Sequence, residues 1–334
     1  MRYRQFNQKQ KMLSSADIHT YTTQVENDYG ISGEYTQNAI LIWAAAFGSA
    51  AAPVSLDTVH APSQSSATSK ENKQIVYVEG DVDDYTIVQK TDGYYISHFN
   101  GFEEPEMTIP SLIDGKRIIG VAEYAFKGCA SVEKINLSDG IEIIEDGAFA
   151  KCSALRQVCF PQTLRIIGSG QALGLGDGAF ACTGLTELII PDSVVFIGSY
   201  SFMFCKMLSR VQLPRYLKEI SVKLFSGCKA LSEVAFPQNL KVIRSDAFED
   251  CCMLKAVHIP IGTETIDAGA FRRCWLDVIY VPPSVKHIGE YDGSTYIVKE
   301  TLGWGANLTI YCTAGSAAME FARKCNIKCA KATF

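Results

Sequence analysis

The fold is decided by three consecutive units of 23 residues: SFMFCKMLSRVQLPRYLKEISVK (201–223), LFSGCKALSEVAFPQNLKVIRSD (224–246) and AFEDCCMLKAVHIPIGTETIDAG (247–269). In each unit Phe is the second residue, and Cys, Leu, Val and Pro follow it at offsets of 3, 6, 9 and 12. The same pattern extends in both directions, with its anchors at Phe126, Phe149, Phe180, Phe202, Phe225, Phe248 and Phe271. The anchor spacings are 23, 31, 22, 23, 23 and 23, so the longest spacing is one unit plus an insertion of eight residues. A pattern that recurs at a nearly constant period is the signature of a repeat architecture.

A unit of this size has too few apolar side chains to close a core alone, so the units are expected to stack and to share one. The segment around Val alternates apolar and polar residues, which predicts a short strand with the apolar side chains inward. Strands from successive units would then form a parallel sheet. Pro cannot donate a hydrogen bond to a neighbouring strand, which suits the strand exit, and the following Leu-x-x-Ile predicts a second extended segment on the far side. The phenylalanines are expected to form a column in the core.

This pattern resembles the BspA-like leucine-rich repeats of bacterial surface proteins. The resemblance covers about three quarters of the chain, and two flanking segments also match that family: IPSLIDGKRIIGVAEYAFKGC (109–129) and LTIYCTAGSAAMEFARKCNIKC (308–329). It implies a leucine-rich-repeat solenoid that is right-handed, curved and β-rich, with 23-residue repeats, a parallel sheet and a terminal strand and helix. It also implies a place on the cell surface and a role in adhesion or recognition.

The repeat and the composition along the chain predict four regions. Residues 1–74 form a leader and flexible linker, residues 75–108 a small N-terminal β cap, residues 109–295 the solenoid, and residues 296–334 a C-terminal cap of strand and helix. The leader contains the apolar run AILIWAAAFGSAAA (39–52), which is too short to span a bilayer but has the length of a secretion signal. About 27 residues, acidic ones among them, separate it from the basic start of the chain, so two interpretations stay open. The leader is either an atypical secretion signal, which gives an extracellular or cell-surface location, or an unprocessed extension.

Charge and length limit the classes of partner. The 334 residues carry a formal net charge of −5, which argues against nucleic acid as a partner. No membrane span is expected, and we expect a monomer. The predicted partner is an extracellular protein or glycan of the host or of neighbouring bacteria.

The sequence predicts no catalytic centre, no cofactor and no metal. The five histidines are dispersed, and the glycine-rich insertion over 168–178 lacks the Lys-Ser/Thr of a phosphate-binding loop. The repeat cysteines, Cys182 included, are expected to pack as small buried side chains in one column. Cys325 and Cys329 are expected on the terminal helix, where no further ligand completes a zinc site.

The predicted strand also identifies an exposed face, which the curved solenoid would present on its concave side. Its candidate binding residues are Glu133, Lys134, Arg156, Gln157, Glu187, Arg210, Gln212, Glu233, Lys255, His258, Asp277 and Tyr280. Charges of both signs alternate with small and apolar side chains, which suits recognition of a macromolecule. The sequence therefore favours a non-enzymatic binding module, and the alternative is a structural spacer or scaffold without a specific ligand.

Overall fold

The computed structural model describes residues 78–168, 176–289, 300–305 and 307–334. The predicted leader and linker over 1–74 lie outside the described residues, as does most of the glycine-rich insertion. The strands are, in chain order, β1 (Glu79–Gly80), β2 (Tyr85–Gln89), β3 (Tyr94–Phe99), β4 (Glu106–Ile109), β5 (Leu112–Ile113), β6 (Lys116–Val121), β7 (Lys134–Leu137), β8 (Ile143–Ile144), β9 (Gln157–Cys159), β10 (Ile166–Ile167), β11 (Glu187–Ile189), β12 (Phe196–Ile197), β13 (Arg210–Gln212), β14 (Glu219–Ile220), β15 (Glu233–Ala235), β16 (Val242–Ile243), β17 (Ala256–His258), β18 (Thr265–Ile266), β19 (Val278–Val281), β20 (His287–Ile288), β21 (Thr309–Cys312) and β22 (Lys328–Lys331). A 3-10 helix covers Val82–Asp84, and one α-helix, α1, covers Ala317–Cys325.

Each repeat contributes one strand to each of two sides of a parallel β-solenoid, as the repeat pattern predicts. We call the side with the longer strands the front sheet; it consists of three hydrogen-bonded groups, β4-β7-β9, β11-β13-β15 and β17-β19-β21-β22. The two-residue strands β8, β10, β12, β14, β16, β18 and β20 form the opposite side. The register places equivalent positions of successive repeats directly beside one another. Val211 of β13, for example, pairs with Leu188 of β11 and with Val234 of β15.

The anchoring phenylalanines form the predicted column between the two sides. All seven are at most 1% exposed. Neighbouring rings from Phe126 to Phe271 stack with centroids 5.0–5.8 Å apart and ring planes within 19° of parallel. Such stacking adds to the free energy gained by burying the rings, so each repeat is tied to the next through its Phe.

Five of the seven repeat cysteines line this column, whereas Cys129 of the first repeat is only half-buried. Cys152, Cys205, Cys228, Cys251 and Cys274 are fully buried. Each thiol donates to the backbone carbonyl of the phenylalanine one repeat earlier, over 2.9–3.3 Å. The thiols therefore act as small buried side chains that also satisfy a backbone acceptor, in agreement with the structural interpretation.

The prediction that Cys182 belongs to this column is wrong. Cys182 is half-buried and adopts a left-handed conformation (φ 60°), as do the residues two positions after the other anchors. Thr183 takes the core position instead; it is 4% exposed, and its hydroxyl donates to the Phe180 carbonyl over 2.9 Å. Thr183 stands three residues after its anchor, at the offset of the other repeat cysteines, and the missing residue of this unit lies after it, because Leu185 follows its anchor by five residues where Leu208 follows Phe202 by six.

The buried thiols should resist modification in the native protein. Burial raises the pKa of the Cys228 and Cys251 thiols well above the usual value, which suppresses the reactive thiolate. We expect a maleimide reagent to modify exposed Cys159 within minutes and Cys228 only after denaturant is added. Mass spectrometry of tryptic peptides measures both positions in one sample. Equal labelling of the two in native protein would contradict the burial.

Both ends of the solenoid carry caps. At the N-terminal end β2 and β3 form an antiparallel hairpin, and β3 continues in parallel with β6. β4, within the segment assigned to the cap, pairs with β7 and is the first front-sheet strand. At the C-terminal end α1 begins after Ser316, whose hydroxyl accepts a bond from the Met319 amide. The prediction that Cys329 lies on the terminal helix is wrong, because Cys329 belongs to β22 and its sulfur lies 3.3 Å from that of Cys312.

Candidate binding face on the front sheet

Strand geometry explains why the front sheet presents polar side chains to solvent. In β13, Arg210 and Gln212 are exposed, while Val211 between them is fully buried. The same alternation occurs in β11 and β17. Side chains at equivalent positions of neighbouring strands are therefore aligned in rows across the sheet.

All twelve predicted face residues have exposed or half-buried side chains. Eight lie within the strands: Lys134, Gln157, Glu187, Arg210, Gln212, Glu233, His258 and Tyr280. The other four lie one residue before a strand: Glu133, Arg156, Lys255 and Asp277. Their role in binding stays a prediction.

The middle of the face carries an ordered row of charges. Glu187, Arg210 and Glu233 occupy one register position on β11, β13 and β15. The Arg210 guanidinium lies 4.0 Å from the Glu187 carboxylate and 3.3 Å from the Glu233 carboxylate. All three side chains are more than half exposed, so this row contributes little to folding and leaves its charges accessible.

The first strands carry a smaller polar group. The Lys134 ammonium donates to Glu106 Oε1 over 2.6 Å, and the Asn136 amide donates to the same oxygen over 3.0 Å. These hydrogen bonds, first that from Lys134, lower the pKa of Glu106, and its carboxylate raises the pKa of Lys134. The sequence interpretation missed Glu106 because it assigned β4 to the cap. A usable signal was present, since Met107, Ile109 and Pro110 repeat the spacing of Val211, Leu213 and Pro214.

The last strands carry a row of aromatic rings. The His258 ring stacks on Tyr280 with centroids 4.3 Å apart and planes 9° apart, and Tyr280 stacks on Tyr311 at 4.6 Å. Tyr311 was missed because its strand was assigned to the C-terminal cap, whereas β21 pairs in register with β19. This end of the face is thus aromatic, whereas its middle is charged.

A second charged cluster joins neighbouring repeats away from this face. The Glu249 carboxylate accepts a bond from Arg272 over 2.6 Å and lies 3.7 Å from both Lys223 and Arg273. Burial, and next the charge of Glu249, raises the pKa of Asp246 in the same cluster. Each of these acids faces a base, so the cluster links repeats and offers no free charge to a ligand.

In the described part of the chain, no group of three or more His, Cys, Asp and Glu side chains is arranged to hold a metal ion. Within the same residues no helix has the length and apolar character needed to cross a bilayer.

Comparison with solved structures finds bacterial leucine-rich repeat proteins. A protein from Bacteroides ovatus matches with a TM-score of 0.52 and 22% identity, covering 76% of this chain and 67% of that one. A T. pallidum leucine-rich repeat protein is 26% identical over 53% of this chain and 91% of its own, with a TM-score of 0.40. A leucine-rich cell surface protein from Faecalibacterium prausnitzii is 17% identical over 75% of this chain and 98% of its own, with a TM-score of 0.30. The first of these supports the fold.

Comparison with families of sequences gives the classification. No curated protein matches the chain. The model of the BspA type leucine-rich repeat region matches six copies over residues 99–171 and 174–292, which is more than half of the chain. The repeat period, the two-sided parallel solenoid and this match agree, and the chain belongs to the BspA-type leucine-rich repeat family.

Proposed function

We propose that this protein is a secreted or surface-displayed, non-enzymatic binding module that recognises an extracellular macromolecule through its front sheet. The macromolecule is a protein or glycan of the host or of neighbouring bacteria. Membership of a repeat family supports a binding or scaffold role in general, and the front sheet supports the finer proposal.

The observation that carries the proposal is the contrast between the two faces of the strands. At the inward position, β11, β13, β15, β17 and β19 carry only Leu, Val or Ile. At the outward position level with Arg210, the same strands carry Glu, Arg, Glu, Ala and Val. Packing thus fixes one face and leaves the other free to vary, and a varied exposed surface on a rigid framework is suited to recognition.

The proposal is tested by surface plasmon resonance of the full chain against purified extracellular matrix proteins and purified bacterial and host surface glycans. Saturable binding that weakens when front-face residues change supports it. A spacer instead gives no saturable binding, or binding that front-face substitutions leave unchanged.

Arg210→Glu is the informative substitution, because it replaces the central charge of the row Glu187–Arg210–Glu233. It creates three neighbouring acids, so we expect a stability loss of up to about 1 kcal/mol and a native circular dichroism spectrum. Affinity for a front-face partner should fall about tenfold or more, since charge complementarity is reversed. Lys229→Glu, a charge reversal at another exposed side chain outside the front strands, is the matched control and should leave affinity unchanged. Equal effects of both reversals would contradict a site on the front sheet.

A further inference from the structure

The front sheet opens between β15 and β17. Both strands are fully described, yet no backbone hydrogen bond joins them, although β15 pairs with β13 and β17 with β19. On the side of β15 that faces β13, the Glu233 amide donates to the Ser209 carbonyl over 3.2 Å. The equivalent bond from Ala256 to Ser232 is absent. Backbone donors and acceptors of both strands therefore face an opening.

This opening forms a groove of about 770 Å³ with an apolar floor. Val234 and Phe236 line it and are only half-buried. Their counterparts one repeat earlier, Val211 and Leu213, are 0% and 5% exposed. Ser232, Gln238 and Asn239 add polar groups to its rim. We call it the interstrand groove.

One wall of the interstrand groove is the uncovered face of an aromatic ring. Tyr280 covers one face of His258, so the other face of the ring looks toward β15. The residue of β15 that corresponds to His258 in the repeat is Ala235, and its small methyl group leaves this ring face uncovered. A flat group placed in this space would extend the stack of His258, Tyr280 and Tyr311 by one member.

The interstrand groove is lined by one negative charge. Of its lining residues, all of them described, Glu233 alone carries a formal charge when His258 is counted as neutral. The Glu233 side chain is 60% exposed, and its one ion-pair partner on β13, Arg210, reaches it from the far side of β15. A cation entering the groove can share this carboxylate.

We infer that the interstrand groove binds an arginine side chain displayed by a protein partner. The guanidinium is flat and cationic, so it can stack on His258 and pair with Glu233 at the same time. Its three methylene groups can cover Val234 and Phe236, as long basic side chains commonly cover apolar surface. Lysine has the charge without the planar group, and a neutral sugar can pack one face on an aromatic ring but lacks the charge. This inference rests on the proposed binding function of the front sheet and names the chemistry it recognises.

The test is a titration of the ¹⁵N-labelled full chain with N-acetyl-L-arginine amide, followed by NMR at the backbone amides of residues 232–236 and 254–258. N-acetyl-L-lysine amide and N-acetyl-L-citrulline amide are titrated in parallel. We expect the arginine compound to bind at least threefold more tightly than either. A lysine compound of equal affinity would show that charge alone acts and would overturn the inference. Equal affinity of the citrulline compound, or tighter binding of a neutral oligosaccharide at the same amides, would also overturn it.

Two pairs of variants locate the binding. Glu233→Gln should weaken arginine binding about fivefold, as expected for an exposed ion pair, whereas Glu219→Gln should not change it. Both carboxylates pair with an arginine, but Glu219 lies on β14, on the opposite side of the solenoid, and does not line the groove. Similarly, His258→Ala should weaken binding, whereas His98→Ala on β3 should not. Equal effects within either pair would place the binding elsewhere.

Failure here is distinguishable from failure of the proposed function. A matrix protein or glycan whose affinity drops with Arg210→Glu but is unaffected by Glu233→Gln and His258→Ala would sustain the binding module. The same result would overturn the arginine site.

Discussion

Phe225→Ala should lower the free energy of unfolding by about 3–5 kcal/mol, the cost of removing a fully buried aromatic side chain. Phe225 has no exposed surface and stacks between Phe202 at 5.8 Å and Phe248 at 5.5 Å. The substitution breaks both stacks at once. In a solenoid, stability is roughly a sum of repeat terms and nearest-neighbour terms, so loss of both contacts loosens the array around this repeat. Urea unfolding followed by circular dichroism gives the urea concentration at the midpoint of unfolding and the slope with which the free energy of unfolding falls with urea.

Phe102→Ala is the matched control, because it is the same chemical change at a side chain that is 95% exposed. We expect its effect to stay within about 0.5 kcal/mol. A loss below about 1 kcal/mol for Phe225→Ala, or similar losses for the two variants, would show that the phenylalanine column does not stabilise the solenoid. A reduced urea slope for Phe225→Ala alone would indicate that the two halves of the array unfold separately.

The core could be predicted from the sequence because one residue type marks each repeat. Phe126 to Phe271 recur at a nearly constant spacing, and a constant spacing in a stack places equivalent side chains directly above one another. The alternation around Val211 then gives the strand and its two faces. These predictions depend on period and local pattern alone, and both can be read from one sequence.

Where one residue is missing from a unit, the period no longer determines which residue fills the core. Cys182 and Thr183 are neighbours, and both are small enough for the core position. The choice depends on where the deletion is absorbed, which is the turn before Leu185. A deletion placed before the cysteine favoured Cys182, but the structure places the deletion after Thr183, which keeps the offset of three residues from its anchor and is buried.

The composition of the face and the alignment of its rows could be predicted, but the opening between two of its strands could not. The residues Glu187, Arg210 and Glu233 occupy one position of the repeat, so the repeat alone places their side chains in one row. The interstrand groove has no such signal, because Val234 and Val257 fit the repeat as well as Val211 does. Whether two neighbouring strands hydrogen-bond depends on small shifts summed over whole repeats, which no local pattern records.

Gly178→Ala should destabilise the protein by about 3 kcal/mol, although it adds a single methyl group. Gly178 lies two residues before its anchor, where the backbone of the next repeat approaches closely. A Cβ atom there would overlap the Tyr200 carbonyl group and lie 2.7 Å from the Ser201 nitrogen. These are backbone atoms that cannot turn aside as a side chain can. The Ser201 carbonyl also accepts the Phe180 amide over 2.8 Å, so relief of the overlap must lengthen a bond between repeats.

Gly128→Ala separates this steric effect from backbone strain. Gly128 has a left-handed conformation (φ 82°), and a Cβ there meets no atom within 4 Å, so its substitution should cost only the left-handed penalty of about 1–2 kcal/mol. Gly178 is not in that conformation, so its larger cost would come from contact alone. Thermal unfolding of both variants decides between them. If Gly178→Ala melts at or above the temperature of Gly128→Ala, the close approach of the two repeats at Tyr200 is refuted, and the shortened repeat after Phe180 must stack differently from its neighbours.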